Sequence, residues 1–297
     1  MDIRVLQYFL IVAREKTISG AAEALHMTQP PLSREMKELE NELGKQLFVR
    51  GNRKITLTKE GLLLRKRAEE IVSLMEKTKA EVSASSENIR GDIYIGNGET
   101  EGMRLLLKTI QQVQAQYPDI HFHFSSGDGY DVTDRLDRGL IDFGTLIEPI
   151  DIGKYDYLRL PRPDIWGVLM RKDHPLAALD CIRPADLRDI PLMISRQMAQ
   201  EGGLSGWLGY DGEELNVVAT GNLAYTLAMV VEEGIGCLLT LDQLVDVSAE
   251  RNLCFRQLEP RLESWMYLAW KKYQVFTSAA EVFVDMLKQN LEGQSDG

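Results

Sequence analysis

Little in this chain of 297 residues supports covalent or metal chemistry. Its three cysteines, Cys181, Cys237 and Cys254, are too few and too scattered for a disulfide framework, and no CxxC pair points to zinc. Histidine is also scarce. His121 and His123 alternate with Ile120, Phe122 and Phe124, which places them on one face of a strand, and no further ligand stands at metal spacing. No metal and no other cofactor is expected. Neither a GxSxG elbow nor a Walker loop is present, so no catalytic residue and no enzymatic activity are expected. There is no run of about 18 apolar residues for a transmembrane helix. The start, MDIRVLQYFLIVAREK, is broken by charge and does not read as a secretory signal. The expectation is a protein of the reducing cytoplasm with no membrane partner.

What is present is a soluble, globular composition, 44% hydrophobic and 27% charged. The length exceeds what one hydrophobic core usually organises, so two or three domains are expected. The net charge of −11, taken whole, argues against a polyanionic partner. Divided along the chain it does not. Residues 1–90 hold 16 Lys and Arg against 13 Asp and Glu, a balance of +3, and the remainder holds 18 against 32, a balance of −14. Such asymmetry marks a nucleic-acid-binding module joined to something else.

The first 58 residues are dense in helical periodicity. Leu6, Phe9, Leu10 and Ala13 define a first amphipathic helix. A short second helix follows, capped by Thr17 or Ser19 and carrying Ala21, Ala22 and Leu25. Thr28-Gln29-Pro30-Pro31 then reads as the start of a third, with Thr28 as N-cap and prolines in the first turn. Leu32, Met36, Leu39 and Leu43 form its apolar stripe, and Gly44 ends it. This is a helix-turn-helix over about 18–37. Leu47–Arg50 and Ile55–Thr58 read as two short strands, a basic wing. Gln29 can pair bidentately with adenine and Arg34 with guanine; Pro30 sets the entry turn and Lys37 extends the same polar face. Thr28 and Ser33 suit phosphate or water-mediated contacts, and Arg50, Arg53 and Lys54 in the wing can reach the backbone or minor groove.

From Lys59 to about Ser86 helix resumes. Leu64, Ala68, Ile71, Met75, Thr78 and Val82 step by four and three, a heptad seam that points to dimerisation through residues 59–88. Residues 91–297 alternate strand and helix in two runs, which predicts parallel sheets in two α/β lobes, one over 91–161 and 265–297 and the other over 162–264. A ligand is expected in the crevice at the carboxyl ends of their strands.

The run Ala21-Ala22, Leu25, Gln29-Pro30, Ser33, Leu39-Glu40, Leu43-Gly44, Leu47-Phe48, Arg50, Leu57-Thr58 and Gly61, with Leu6, Phe9 and Ala13 before it, resembles the LysR-type family of bacterial transcription regulators. Thr17 and Ile18 depart from that pattern, where a serine and an aromatic are usual. The resemblance implies an α/β fold class with a winged helix-turn-helix N-terminal domain, a long linker helix and a two-lobed periplasmic-binding-protein-like effector domain. It implies binding of double-stranded promoter DNA by a homodimer that pairs into a homotetramer, under control of a small-molecule effector. Asn97, Thr100, Ser126, Ser195, Arg196 and Asn222, at strand ends and helix starts, are the expected effector-binding residues. Arg196 suits a carboxylate and hence a small organic acid, whereas Glu99, Glu101 and Asp128 nearby oppose an anion. Two other readings use the lobes alone: a solute-binding receptor component, or an α/β enzyme with no nucleic-acid role.

Overall fold

The computed structural model describes residues 1–51, 54–83, 89–201, 204–209 and 215–295. Two compact units divide the chain, Met1–Ala84 and Ser85–Gly297. No helix among the described residues is long and apolar enough to cross a membrane.

The first unit runs α1 (Ile3–Glu15), α2 (Ile18–Ala24), α3 (Gln29–Leu43), β1 (Phe48–Arg50), β2 (Ile55–Leu57) and α4 (Lys59–Ser83). Each early boundary has a local cause. The Asp2 carboxylate accepts the Arg4 N–H and the Thr17 hydroxyl accepts the Gly20 N–H, satisfying orphan donors at the starts of α1 and α2. Gly44, at φ 62°, ends α3 in the left-handed region where a Cβ is costly. Leu6, Phe9 and Val12 of α1 close on Leu32, Met36 and Leu39 of α3 and on Leu47 and Phe48. Leu43, expected in that stripe, is 39% exposed, because the last turn of α3 extends beyond the core.

The apolar pattern of α4 also divides. Ala68 is fully buried in the helix-turn-helix core, and Leu64 and Val72 pack against it. The first half of the expected seam is therefore spent within its own domain. Ile71, Leu74 and Val82 remain exposed, Val82 at 82%.

The second unit contains two mixed sheets. One has the order β4 (Ile120–Ser126), β3 (Gly91–Asn97), β5 (Phe143–Ile147), β13 (Met266–Lys271), β6 (Tyr155–Arg159). The other has the order β11 (Leu253–Gln257), β7 (Asp164–Arg171), β10 (Cys237–Leu241), β8 (Leu192–Ser195), β9 (Val217–Gly221), with β12 (Glu263–Ser264) beside β7. Helices α5 (Met103–Gln116), α6 (Gly129–Asp137) and α10 (Ser278–Ser295) supply apolar side chains to the first sheet's cores, and α7 (Arg196–Glu201), α8 (Ser205–Leu208) and α9 (Ala224–Glu232) to the second's. The expected all-parallel sheets are not found. β3–β4, β3–β5, β8–β9 and β8–β10 pair in parallel, but β13 is antiparallel to β5 and β6, and β7 to β10 and β11. The chain leaves the first sheet between β6 and β7 and returns between β12 and β13, so the returning strand enters in the opposite sense. Around Asp186 the chain makes a single 3₁₀ turn, Pro184–Leu187.

Gly61, on the first turn of α4, lies against the backbone of Leu47: a Cβ there would meet the Leu47 carbonyl oxygen at 2.2 Å. Gly61→Ala must push the helix off the wing, and a loss of about 1–3 kcal/mol is expected from such overpacking. Thermal unfolding of the variant should show a lower melting temperature; an unchanged one would mean that the approach is not tight.

Candidate functional site

Two groups of polar residues have geometry suited to binding. The first is the face of α3. Thr28, Gln29, Pro30, Arg34 and Lys37 are exposed and Ser33 is half-buried, on the side away from Leu32, Met36 and Leu39. Thr28 occupies the N-cap position with extended backbone, yet its hydroxyl caps nothing. An N-cap oxygen takes its proton from the second or third helical N–H, and those residues are Pro30 and Pro31, which have none. The hydroxyl stays free at a helix N-terminus, where a phosphate is favoured. Among the described residues the side chains of Gln29, Ser33, Arg34 and Lys37 likewise have no intramolecular partner.

The wing is fixed to this helix by a residue whose role sequence reasoning missed. Glu40 turns its Oε1 onto the Leu47 and Phe48 N–H groups, at 2.7 and 3.2 Å, tying the far end of α3 to β1. The Thr58 hydroxyl donates to the Gln46 carbonyl and accepts the Gly61 N–H, joining the wing to α4. Arg53 lies outside the described residues; of Arg50 only the backbone is described, opposite Ile55. Lys54 is exposed.

The second group surrounds a cleft at the carboxyl ends of β3, β4, β5, β8, β9 and β10, with a cavity of ≈ 100 Å³. A water needs roughly 10–15 Å³ by this measure, so the space suits several waters or one small molecule. Of the six residues expected to bind an effector, Ser195 and Asn222 line it. The other four do not. The Thr100 hydroxyl is buried, donates to the Asp164 carboxylate and accepts the Gly102 N–H. Asn97 ends β3 with its Oδ1 buried outside the cleft wall, and Ser126, beside it in the sheet, is exposed. Arg196 crosses to the other lobe, where its Nε donates to Asp128 at 2.7 Å and its Nη2 pairs with Asp131 at 3.1 Å. The cation on which the expectation of an acid rested is thus already neutralised.

Next to it, Gln197 bridges the lobes completely. Its Nε2 donates to the Ile147 and Pro149 carbonyls at 2.9 and 2.7 Å, and its Oε1 accepts the Gly129 N–H at 3.1 Å. On another wall the Glu99 carboxylate accepts the Ala224 N–H at the start of α9. Asp128 caps α6 by accepting the Tyr130 and Asp131 N–H groups. Glu148 takes the Tyr267 hydroxyl and the Trp265 N–H. Glu99, Gln197 and Glu148 were not among the expected residues; each follows a strand end, which was the available signal. The cysteines stay plain: burial pushes the Cys237 thiol up to about 11, far from a reactive thiolate. His123 stacks on Tyr94 and contacts Asp92, a surface arrangement, and no cluster of three metal-ligating residues occurs among the described residues.

The model of the bacterial regulatory helix-turn-helix protein, lysR family, matches residues 3–62, and that of the LysR substrate binding domain matches residues 86–292. The chain belongs to the LysR family. It is similar to the HTH-type transcriptional regulator BsdA of Bacillus subtilis strain 168, 34% identical over 206 residues, which cover 68% of this chain and 69% of BsdA. It shares its fold with CbnR, a LysR family transcriptional regulator, at a TM-score of 0.74 and 19% identity, over 98% of this chain and 99% of CbnR. Full-length CbnR complexed with its target DNA gives the same score at 18% identity, over 98% and 100% of the two chains.

In this LysR-family chain the passage between lobes holds a buried carboxyl. Asp164 opens β7 and is 8% exposed; burial raises its pKa above the ordinary 3.8, against the hydrogen bonds from Thr100 and Gly102. A raised folded-state value means that the folded protein holds this proton more tightly than the unfolded chain. Its contribution is therefore favourable at low pH and is lost as pH rises from 3.8 through the raised value. Asp164→Asn removes that titration while keeping an acceptor for Thr100. The melting temperature of the variant should gain on that of the parent as pH rises through this window and keep a constant lead above it. A lead that shrinks with pH would contradict the assignment.

Proposed function

We propose that this LysR-family regulator reads operator DNA with the exposed face of α3 and responds to a small molecule held in the interlobe cleft. The observation that carries the reading is the set of unpaired polar side chains at the uncapped entry of a wing-braced helix, on the one segment whose charge balance is positive. Gln29 and Arg34 make the base contacts, Thr28, Ser33 and Lys37 hold phosphates, Pro30 shapes the entry turn, and Arg50 and Arg53 extend the contact along the backbone. The regulator works in the cytoplasm, by binding and not by catalysis.

A homodimer formed along α4 presents two such faces to a two-fold symmetric site, and two dimers make a homotetramer. The exposed Ile71, Leu74 and Val82 support pairing through the second half of that helix. Effector binding shifts the assembly only as far as its affinity differs between two arrangements of the lobes.

The test is fluorescence anisotropy of the full-length protein on DNA from upstream of its own gene, across a salt series. Arg34→Ala should weaken the specific site by about 1–3 kcal/mol and relax its preference at one base pair. Lys37→Ala should weaken all sequences alike and lower the salt slope by about one unit. Undiminished, sequence-specific binding by Arg34→Ala would overturn the assignment of α3.

A further inference from the structure

We propose that Lys16 is a phosphate contact, which carries the DNA-binding surface past the wing to the end of α1; the inference rests on the reading of the first unit as the operator-binding one. Lys16 is the C-cap of α1 and stands at φ 57°, in the left-handed region where a side chain is disfavoured and glycine is usual. The same unit obeys that rule at the end of α3, where Gly44 takes φ 62°. A lysine held in glycine's conformation costs stability, and such costs collect where a side chain serves binding.

The surroundings of Lys16 point to what it binds. Its carbonyl accepts the Ile55 N–H at 2.7 Å, so the residue lies along the outer edge of β2. On its other side Ile55 pairs with Arg50 of β1. Arg50, Ile55 and Lys16 thus stand side by side, and Lys54 precedes Ile55 in the chain. The Lys16 N–H donates to the Val12 carbonyl at 3.0 Å, so both backbone groups are fixed and only the side chain is free. Lys16 and Lys54 are exposed, and neither side chain has an intramolecular partner among the described residues. Glu15, the adjacent acid, is taken by Arg14 at 2.9 Å. Two unpaired cations flanking Ile55 favour an anion at this edge, and the anion that runs beside a DNA-binding wing is the phosphate backbone. An ammonium is a point charge with no fork to match a base edge, so the contact positions the protein and carries no sequence preference.

The experiment pairs thermal unfolding with fluorescence anisotropy of the full-length protein, on its upstream DNA and on an unrelated duplex, across a salt series. Lys16→Gly removes the cation and suits the left-handed backbone, so its melting temperature should equal or exceed that of the parent. Its affinity for both duplexes should fall, about five- to tenfold at roughly 0.1 M salt, and its salt slope should drop by about one unit. Lys16→Arg should keep both. A lysine placed only to meet the dipole of α1 predicts the reverse for Lys16→Gly, a lower melting temperature with affinity and slope untouched. That result would overturn the assignment, as would a loss confined to the upstream duplex, which marks a base contact. Arg34→Ala, measured alongside, separates this claim from the reading beneath it. Loss for Arg34→Ala with none for Lys16→Gly removes Lys16 alone; loss for neither removes the operator-binding reading of the unit.

Discussion

Both lobes of the effector unit are held to one another through the side chain of Gln197. All three of its hydrogen bonds cross the gap, and each satisfies a backbone group at a strand or helix end that would otherwise face the cleft. Arg196 adds charge to the same crossing. An amide with both ends committed admits one relative setting of the surfaces it joins, because shifting either by an ångström breaks bonds on both sides. The cleft therefore has a definite shape, and the polar groups on its wall stand in fixed places.

The architecture was legible in the sequence where one physical rule dominated. The 3.6-residue stripe Leu6, Phe9, Leu32, Met36, Leu39 located the helix-turn-helix, and the alternation of strand and helix after residue 90 announced two sheets. Tyr155–Arg159 and Leu253–Gln257 are edge strands and are harder to read. Charged residues interrupt their apolar pattern, as edges that avoid pairing with other chains require. The antiparallel return of β13 was hidden for another reason: crossing between lobes is a property of topology, and no local pattern records it.

Site residues divide in the same way. Ser195 and Asn222 stand at strand ends and line the cleft, where the positional rule for ligands puts them. Thr100 and Arg196 obey the same positional rule and yet are spent elsewhere, Thr100 on Asp164 and Arg196 on Asp128 and Asp131. A one-dimensional reading sees a side chain's chemistry but not the partner that has already consumed it. Thr28 is the exception, since Pro30 and Pro31 already announce in the sequence that no N–H awaits its hydroxyl.

The junction at Thr58 and Gly61 has a consequence for distance. Only Thr58 separates β2 from α4, its hydroxyl touches both sides, and the helix lies against the Leu47 backbone without room for a methyl group. Wing and linker helix are therefore one rigid piece. In a dimer paired along α4, the spacing between the two wings is set by helix geometry, as by the fixed legs of a pair of dividers, and the operator must supply half-sites at that separation.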